Sequence, residues 1–375
     1  MPIYNCLRYF LGYRIIEVIM NRIIVFSFCI LLVLIIGWHF SPIFNNFPEP
    51  SGSYGVGIIS LQLKDPSRFE VHSHGKLREL VVDFYYPAEK KEQKFPYQPA
   101  TIQAIKKMKA EHSLLPSFIW NNLLDNLHSY AEPYAQIAKS KTQFPVIVFS
   151  PGIGSYNLYS VYLEDLTSYG YIVAHIHPPY DTLITVFPDK RIIELDPTFK
   201  EMMNQNDRTM IYNYRAQAHA IWVKDQQFVM DCLDQLNKYD VTPLYQKIDL
   251  NKIGTMGHSH GGAVAIDVCK IEPRCKAGID LDGWTKTANT SQGFDKPFLF
   301  LLQEHGLDDA IEKLAQNIKE SKVIKIQGAG HRAFSDFIML KWPLAKLLNV
   351  ATENPEAVRK DIQAKIIAFF NKNLK

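Results

Sequence analysis

Short apolar runs alternate with amphipathic stretches along the chain from residue 54 onward. Short runs rich in Val, Ile and Phe predict buried strands, whereas apolar positions that recur every three or four residues predict helices. The predicted strands are 55–63, 79–86, 144–150, 171–177, 252–256, 276–281, 297–302 and 322–326. The first two strands are expected to form an antiparallel pair.

Helical patterns lie between these strands, over 156–168, 205–238 and 262–269. A C-terminal helix follows, with Asn354 as its cap, Pro355 at its first position and apolar residues at Val358, Ile362, Ile366 and Phe369. Strands that alternate with helices predict a mostly parallel sheet with helices on both faces. We therefore expect a linker at 41–53 and one α/β domain over 54–375.

The N-terminus departs from this pattern. Residues 23–40, IIVFSFCILLVLIIGWHF, are almost wholly apolar and approach the length of a membrane-spanning helix. Because Arg8, Arg14 and Arg22 precede the run, the positive-inside rule places 1–22 in the cytoplasm and the rest of the chain on the far side. The run predicts an uncleaved membrane anchor. A signal peptide, which would leave a secreted protein, is the alternative.

Composition adds few constraints. The net charge is +3 and no dense block of Lys or Arg occurs, so a nucleic-acid partner is not expected. The five cysteines are too few and too scattered for a disulfide framework. Cys269 and Cys275 would pair only where the intervening chain allows it, and we expect free, buried thiols.

Residues 257–261, Gly-His-Ser-His-Gly, lie between a predicted strand and a predicted helix. A G-x-S-x-G sequence at such a junction is typical of a nucleophile elbow. The turn is so tight that side chains at 257 and 261 would collide with neighbouring backbone, which accounts for the glycines. We therefore predict that Ser259 is the nucleophile of an α/β-hydrolase fold.

A serine hydroxyl needs a base to take its proton, and the base needs an acid to orient it. In this fold the acid and then the histidine follow the serine along the chain. His331 follows the last predicted strand, where this fold presents its base, whereas His260 adjoins the nucleophile and His305 comes too early. For the acid, position alone leaves Asp282 and Asp308 equally eligible.

The oxyanion that forms during ester cleavage needs two backbone N–H donors. One belongs to His260, the residue after the predicted nucleophile. The other is expected from loop 151–154, which follows the strand 144–150. Pro151 has no N–H, so Ile153 is the predicted donor, and the glycines beside it let the backbone approach the substrate.

Five segments of the chain carry a family resemblance: FPVIVFSPGIGSYNLYS, YGYIVAH, KIGTMGHSHGGAVAIDV, RCKAGIDLDGW and GAGHRAFSDF. In this order, within residues 54–340, they resemble the platelet-activating-factor acetylhydrolase family, calcium-independent phospholipases of α/β-hydrolase fold. The resemblance implies that Asp282, in the L-D-x-W segment, is the acid, with Asp308 in reserve. It implies that His331 is the base.

The same resemblance implies Ile153 and His260 as oxyanion donors. Two positions depart from the family: Pro151 stands where a histidine is common, and His260 where a phenylalanine is frequent. The implied activity is hydrolysis of the sn-2 ester of short-chain or oxidised phospholipids through a Ser-His-Asp triad and an acyl-enzyme. A phospholipid or other ester is then the partner, no metal or organic cofactor is expected, and the departures leave acyl-chain preference open.

Other interpretations remain open. AGIDLDGWTKT and GAGHRAF also resemble bacterial cutinases and polyester hydrolases, in which the acid falls nearer Asp308. Among the His-x-His pairs, His175 and His177 end a strand and share one of its faces, as ligands of a metallohydrolase would. A non-catalytic, hydrolase-like binding module is a further alternative. The apolar segment 113–127 is either a cap over the pocket, a lipid-contacting surface or a helix packed on the core.

Overall fold

The computed structural model describes residues 20, 22–24, 26–28, 44–112, 124, 127–140, 143–283, 285, 288, 292–306 and 309–375. The strands are β1 (Gly55–Phe69), β2 (Leu77–Ala88), β3 (Phe95–Pro96), β4 (His128–Ser129), β5 (Ala131–Pro133), β6 (Phe144–Ser150), β7 (Ile172–His177), β8 (Ile184–Val186), β9 (Ile192–Glu194), β10 (Ile248–His258), β11 (Cys275–Leu281), β12 (Phe298–Gln303) and β13 (Ser321–Ile326). The helices are α1 (Pro99–His112), α2 (Ser160–Ser168), α3 (Pro197–Gln205), α4 (Arg208–Lys238), α5 (His260–Ile271), α6 (Asp309–Gln316), α7 (Trp342–Leu347) and α8 (Pro355–Leu374). Single 3₁₀ turns lie at His331–Phe334 and Asp336–Met339.

Nine of these strands form the central sheet, in the order β13-β12-β11-β10-β6-β7-β2-β1-β5. Strands β7, β6, β10, β11, β12 and β13 are parallel to one another, whereas β2 runs antiparallel to both β1 and β7. The predicted mostly parallel sheet and its antiparallel first pair are therefore confirmed. The carboxyl ends of β6, β10, β11 and β13 meet at one edge, where loops carry functional groups in such sheets.

Helices cover both faces of this sheet. On one face, Val146 and Val148 of β6 share a buried cluster with Trp222 of α4. The neighbouring side chain, Ile147, points to the other face, where α8 packs. A Cβ on Gly254 there would lie 2.9 Å from Ile147 and 3.0 Å from both Phe370 and Leu374. The layered arrangement expected from the sequence is thus present.

The C-terminal helix α8 begins as predicted. The Asn354 side chain accepts a hydrogen bond from the Glu356 N–H at 2.9 Å, and Pro355 occupies the first turn. Its buried face includes Phe370 rather than the predicted Phe369, which is only half-buried. The apolar stripe therefore continues at four-residue intervals to the end of the helix.

The prediction of free thiols is wrong for two cysteines. Cys269 and Cys275 form a disulfide, with their Cα atoms 5.1 Å apart. The reason is local: α5 ends at Ile271 and β11 begins four residues later, so the chain turns back and brings the two side chains together. Cys232, on α4, is a free cysteine and is half-buried.

Within the described residues, no helix combines the length and the apolar character needed to cross a membrane. The predicted anchor 23–40 and the apolar segment 113–127 lie mostly outside those residues, and both stay predictions. From residue 44 onward the predicted linker contacts the domain. Phe44 pairs with Leu340, and the Ser51 N–H donates to Asp165 Oδ1 at 2.7 Å.

Candidate active site

Ser259 lies in the sharp turn between β10 and α5, with φ 55° and ψ −117°. This is a backbone conformation that L-residues rarely adopt, and it projects the side chain away from the turn. A Cβ on Gly257 would lie 2.1 Å from the Gly261 carbonyl oxygen, and one on Gly261 would lie 2.2 Å from the Ser150 carbonyl oxygen. Glycine is required at both positions, as the tight turn predicts.

A chain of hydrogen bonds leads from Ser259 to Asp282. His331 Nε2 lies 3.0 Å from Ser259 Oγ, and His331 Nδ1 lies 2.5 Å from Asp282 Oδ2. A carboxylate only accepts, so Nδ1 carries a proton and, in the neutral ring, Nε2 accepts from the serine hydroxyl. The Asp282 side chain is 7% exposed and that of His331 is 43% exposed. The His331 ring is therefore open to solvent while the Asp282 carboxylate is shielded from water.

Asp282 occupies the first position after β11, with φ 51°. Its N–H donates to the Leu301 carbonyl at 2.7 Å, and its Oδ1 accepts from the Gln303 N–H at 3.0 Å. Strand β12 thus fixes both the backbone and the carboxylate, and leaves Oδ2 for His331. Asp308, the reserve candidate for the acid, lies outside the described residues.

Two backbone N–H groups beside Ser259 remain without an acceptor among the described residues. The other N–H groups of these loops are bonded: Gly152 to the Tyr159 hydroxyl at 2.8 Å, Gly154 to the Asp181 carbonyl at 2.8 Å and Gly261 to the Pro151 carbonyl at 3.1 Å. Within the described part of the chain, the N–H groups of Ile153 and His260 have no acceptor. A Cβ on Gly152 would lie 3.4 Å from Ser259 Cβ, so this loop borders Ser259.

The His260 imidazole lies against α4, away from His331. Its ring packs edge-on at 4.9 Å from the Trp222 ring and 5.7 Å from the His219 ring, measured between centroids. Burial, followed by the nearby His219 and Arg215, holds the pKa of His260 well below its ordinary value. The ring is therefore neutral and contributes packing, whereas the backbone of the same residue lies at the elbow.

His258, the residue before Ser259, has a role that the sequence alone did not predict. Its Nε2 lies 2.9 Å from the His331 carbonyl oxygen and its Nδ1 lies 3.0 Å from the Tyr159 hydroxyl. Burial and then the nearby His331 hold the pKa of His258 well below its usual range. The carbonyl only accepts, so the neutral ring carries its proton on Nε2 and accepts from Tyr159 on Nδ1. This network fixes the backbone of His331.

Asp336 anchors the loop that carries His331, and its role was also missed. Its carboxylate accepts from the Tyr97 hydroxyl at 2.5 Å and from the N–H groups of Ser160 and Val161, both at 2.8 Å. The last two begin α2, so the negative charge caps a helix N-terminus. Burial raises the pKa of Asp336 to about 6. A helix start without its own capping side chain was the signal that could have located this contact.

The sheet order, the strained turn at Ser259 and the order of serine, aspartate and histidine along the chain define the molecule as an α/β hydrolase. The chain matches the family described as platelet-activating factor acetylhydrolase, isoform II, over residues 43–375. It belongs to that family, and the resemblance inferred from the sequence is confirmed.

Similarity to known proteins extends over most of the chain. A platelet-activating factor acetylhydrolase of Gallus gallus is 26% identical over 53% of this chain and 54% of its own, so the chain spans about half the length of that relative. A probable 1-alkyl-2-acetylglycerophosphocholine esterase of Arthroderma benhamiae is 27% identical over 77% of this chain and 76% of its own. A ferulic acid esterase structure from Streptomyces cinnamoneus covers 88% of this chain and 93% of its own, with a TM-score of 0.66 and 24% identity. The last likeness shows the fold alone.

Proposed function

We propose that the protein is a serine esterase that hydrolyses the sn-2 ester of phospholipids carrying a short or oxidised acyl group. The observation that carries the proposal is the aligned hydrogen-bond chain, with Ser259 Oγ 3.0 Å from His331 Nε2 and His331 Nδ1 2.5 Å from Asp282. Membership of the acetylhydrolase family and the names of its relatives support the choice of substrate class.

The acylation step uses groups already in contact. His331 Nε2 takes the proton of Ser259 Oγ as that oxygen attacks the ester carbonyl, and Asp282 stabilises the imidazolium that results. The N–H groups of Ile153 and His260 donate to the oxyanion. When the carbonyl re-forms, the bond to the glycerol oxygen breaks and the leaving alcohol takes the proton from His331.

Deacylation repeats the same chemistry with water as the nucleophile. Water attacks the acyl carbonyl on Ser259 and passes a proton to His331, and the oxyanion again accepts from Ile153 and His260. The serine oxygen then leaves with the proton from His331 Nε2. The free carboxylic acid is released and the resting hydrogen bonds are restored.

We further propose that residues 23–40 hold the catalytic domain beside a membrane, on its non-cytoplasmic side. The support comes from the apolar run itself and from Arg8, Arg14 and Arg22, which precede it. An esterase in this position acts on substrates that partition into lipid.

The test combines labelling with a substrate series. The full-length protein is treated with a fluorophosphonate, and we expect mass spectrometry to find one adduct, on Ser259, with none in Ser259→Ala. Release of acetate is then compared with release of longer acids from phosphatidylcholines that differ only in the sn-2 chain. Full labelling with faster cleavage of long chains would contradict the substrate proposal alone. An active protein that carries no adduct at Ser259 would contradict the mechanism.

A further inference from the structure

A second cluster of histidine and carboxylate groups lies on β7 and β2, outside the catalytic residues. His175 and His177 are two residues apart on a regular strand, so both side chains lie on one face, with their ring centroids 4.3 Å apart. Asp83 of the antiparallel neighbour β2 is the register partner of His175 and shares that face. One ligand atom from each residue lies within 4.8 Å of the other two.

The cluster is deeply buried and incompletely hydrogen-bonded. His175 is 0% exposed, and neither of its ring nitrogens has a hydrogen-bond partner among the described residues. Burying such a group without a partner destabilises the fold. His177 Nε2 lies 3.0 Å from Asp83 Oδ2, but the geometry does not make a hydrogen bond. Three groups that can bind a metal therefore face one another, and three of the imidazole nitrogens have no hydrogen-bond partner among the described residues.

Aromatic rings pack against one member of the cluster, His175. The Phe149 and Tyr159 rings pack against His175 at 5.2 and 5.7 Å between centroids. These rings exclude water from one side of the cluster. An ion held there would therefore interact more strongly with its ligands than it would in water.

We propose that Asp83, His175 and His177 bind one divalent transition-metal ion of the zinc class, with water as a fourth ligand. Two imidazoles and one carboxylate are a ligand set that zinc prefers. The ion would supply the missing partner for His175 and join β2 to β7, the antiparallel junction of the sheet. The Asp83 side chain is 11% exposed and that of His177 is 5% exposed, so solvent touches both side chains.

Tetrahedral coordination sets the separations that the ligand atoms have to reach. Tetrahedral zinc, with bonds of about 2.0–2.1 Å, separates its ligand atoms by about 3.3 Å. The His177–Asp83 separation of 3.0 Å already lies near this value. Because ester cleavage at Ser259 uses no group of the cluster, the ion has a structural role, and its presence is tested without an activity assay.

The experiment measures zinc bound to untagged, full-length protein after exhaustive dialysis, together with the visible absorption of a Co²⁺-substituted sample. We expect one equivalent of zinc, cobalt bands typical of four-coordination and a higher Tm in zinc than in chelator. His175→Ala and Asp83→Asn should each weaken binding, by at least the roughly 10–100-fold that loss of an outer-sphere partner costs. His74→Ala is the control, because His74 is exposed and belongs to another His-x-His pair, His72 and His74.

Binding lost in His74→Ala but kept in His175→Ala would overturn the proposal. So would wild-type protein that retains no zinc and shows no cobalt bands, a result that does not depend on whether any variant folds. Failure here would leave the proposed esterase untouched, because Ser259 labelling reports on that function separately.

Discussion

The His-x-His pairs at 258–260 and 175–177 share one sequence pattern but lie on different backbones. On the regular strand β7, His175 and His177 fall on the same face with their rings 4.3 Å apart. At the elbow, the positive φ of Ser259 separates the two imidazoles, so that one binds the His331 carbonyl and the other packs on α4. The spacing alone therefore does not indicate a metal site. The backbone conformation of the middle residue determines whether the two imidazoles share one face.

The two pairs also differ in how their ring nitrogens are satisfied. Both nitrogens of His258 have hydrogen-bond partners, whereas those of His175 and His260 have none among the described residues. A buried histidine with both ring nitrogens hydrogen-bonded fixes its neighbours. One without partners either binds a ligand or lowers the stability of the fold. Substitutions at the elbow and around it test how much these hydrogen bonds contribute.

The largest effect is expected from the acid that orients His331. In Asp282→Asn the amide cannot hold the Nδ1 proton of the base, and we expect kcat to fall by about 10⁴-fold while KM changes little. Steady-state hydrolysis of a chromogenic short-chain ester measures both constants. Asp308→Asn is the matched control, with an expected change of less than about threefold. Full activity in Asp282→Asn with a large loss in Asp308→Asn would reverse the assignment of the acid.

The next largest effect concerns Asp336, which holds the loop of His331. Burial raises its folded pKa from 3.8 to about 6, so the protonated form is favoured in the folded state. The stability that this shift contributes is complete below about pH 4 and is lost as pH rises through 6. Asp336→Asn cannot titrate, so the advantage of wild type over the variant should shrink by about 2–3 kcal/mol between pH 4 and 7.

Urea unfolding followed by circular dichroism across this pH range measures the difference. Asp240→Asn, at an exposed position, is the control and should leave the pH dependence unchanged. A difference between wild type and Asp336→Asn that stays constant with pH would show that the carboxylate titrates normally in the fold.

His258→Phe tests the satisfied member of the elbow pair. The substitution leaves the His331 carbonyl and the Tyr159 hydroxyl without their partner, so the base should lose its fixed position. We expect kcat to fall by roughly 10–100-fold with KM nearly unchanged, because loss of one such hydrogen bond costs about 1–3 kcal/mol. His258→Gln retains a donor and should recover part of the loss. Equal activity in wild type and His258→Phe would exclude a positioning role.

Local chain patterns predicted much of this molecule. The parallel strands, the elbow at Ser259 and the cap at Asn354 depend on residues close together in sequence, and each was located correctly. The Cys269–Cys275 disulfide, the contact of Asp336 with α2 and the network of His258 depend on how distant segments meet. Asp83 adjoins His175 only through the strand register, so no fixed spacing indicated the cluster.

The smallest effect is expected at His260, the unsatisfied member of the elbow pair. Phenylalanine has nearly the same shape, removes two buried polar atoms and keeps the backbone N–H that we assign to the oxyanion. His260→Phe should therefore leave kcat within about threefold of wild type and raise the unfolding free energy by up to about 1–2 kcal/mol. Ester hydrolysis and urea unfolding of the same samples measure both. A loss of kcat beyond tenfold would mean that the imidazole itself, and not only its backbone, contacts the reacting ester.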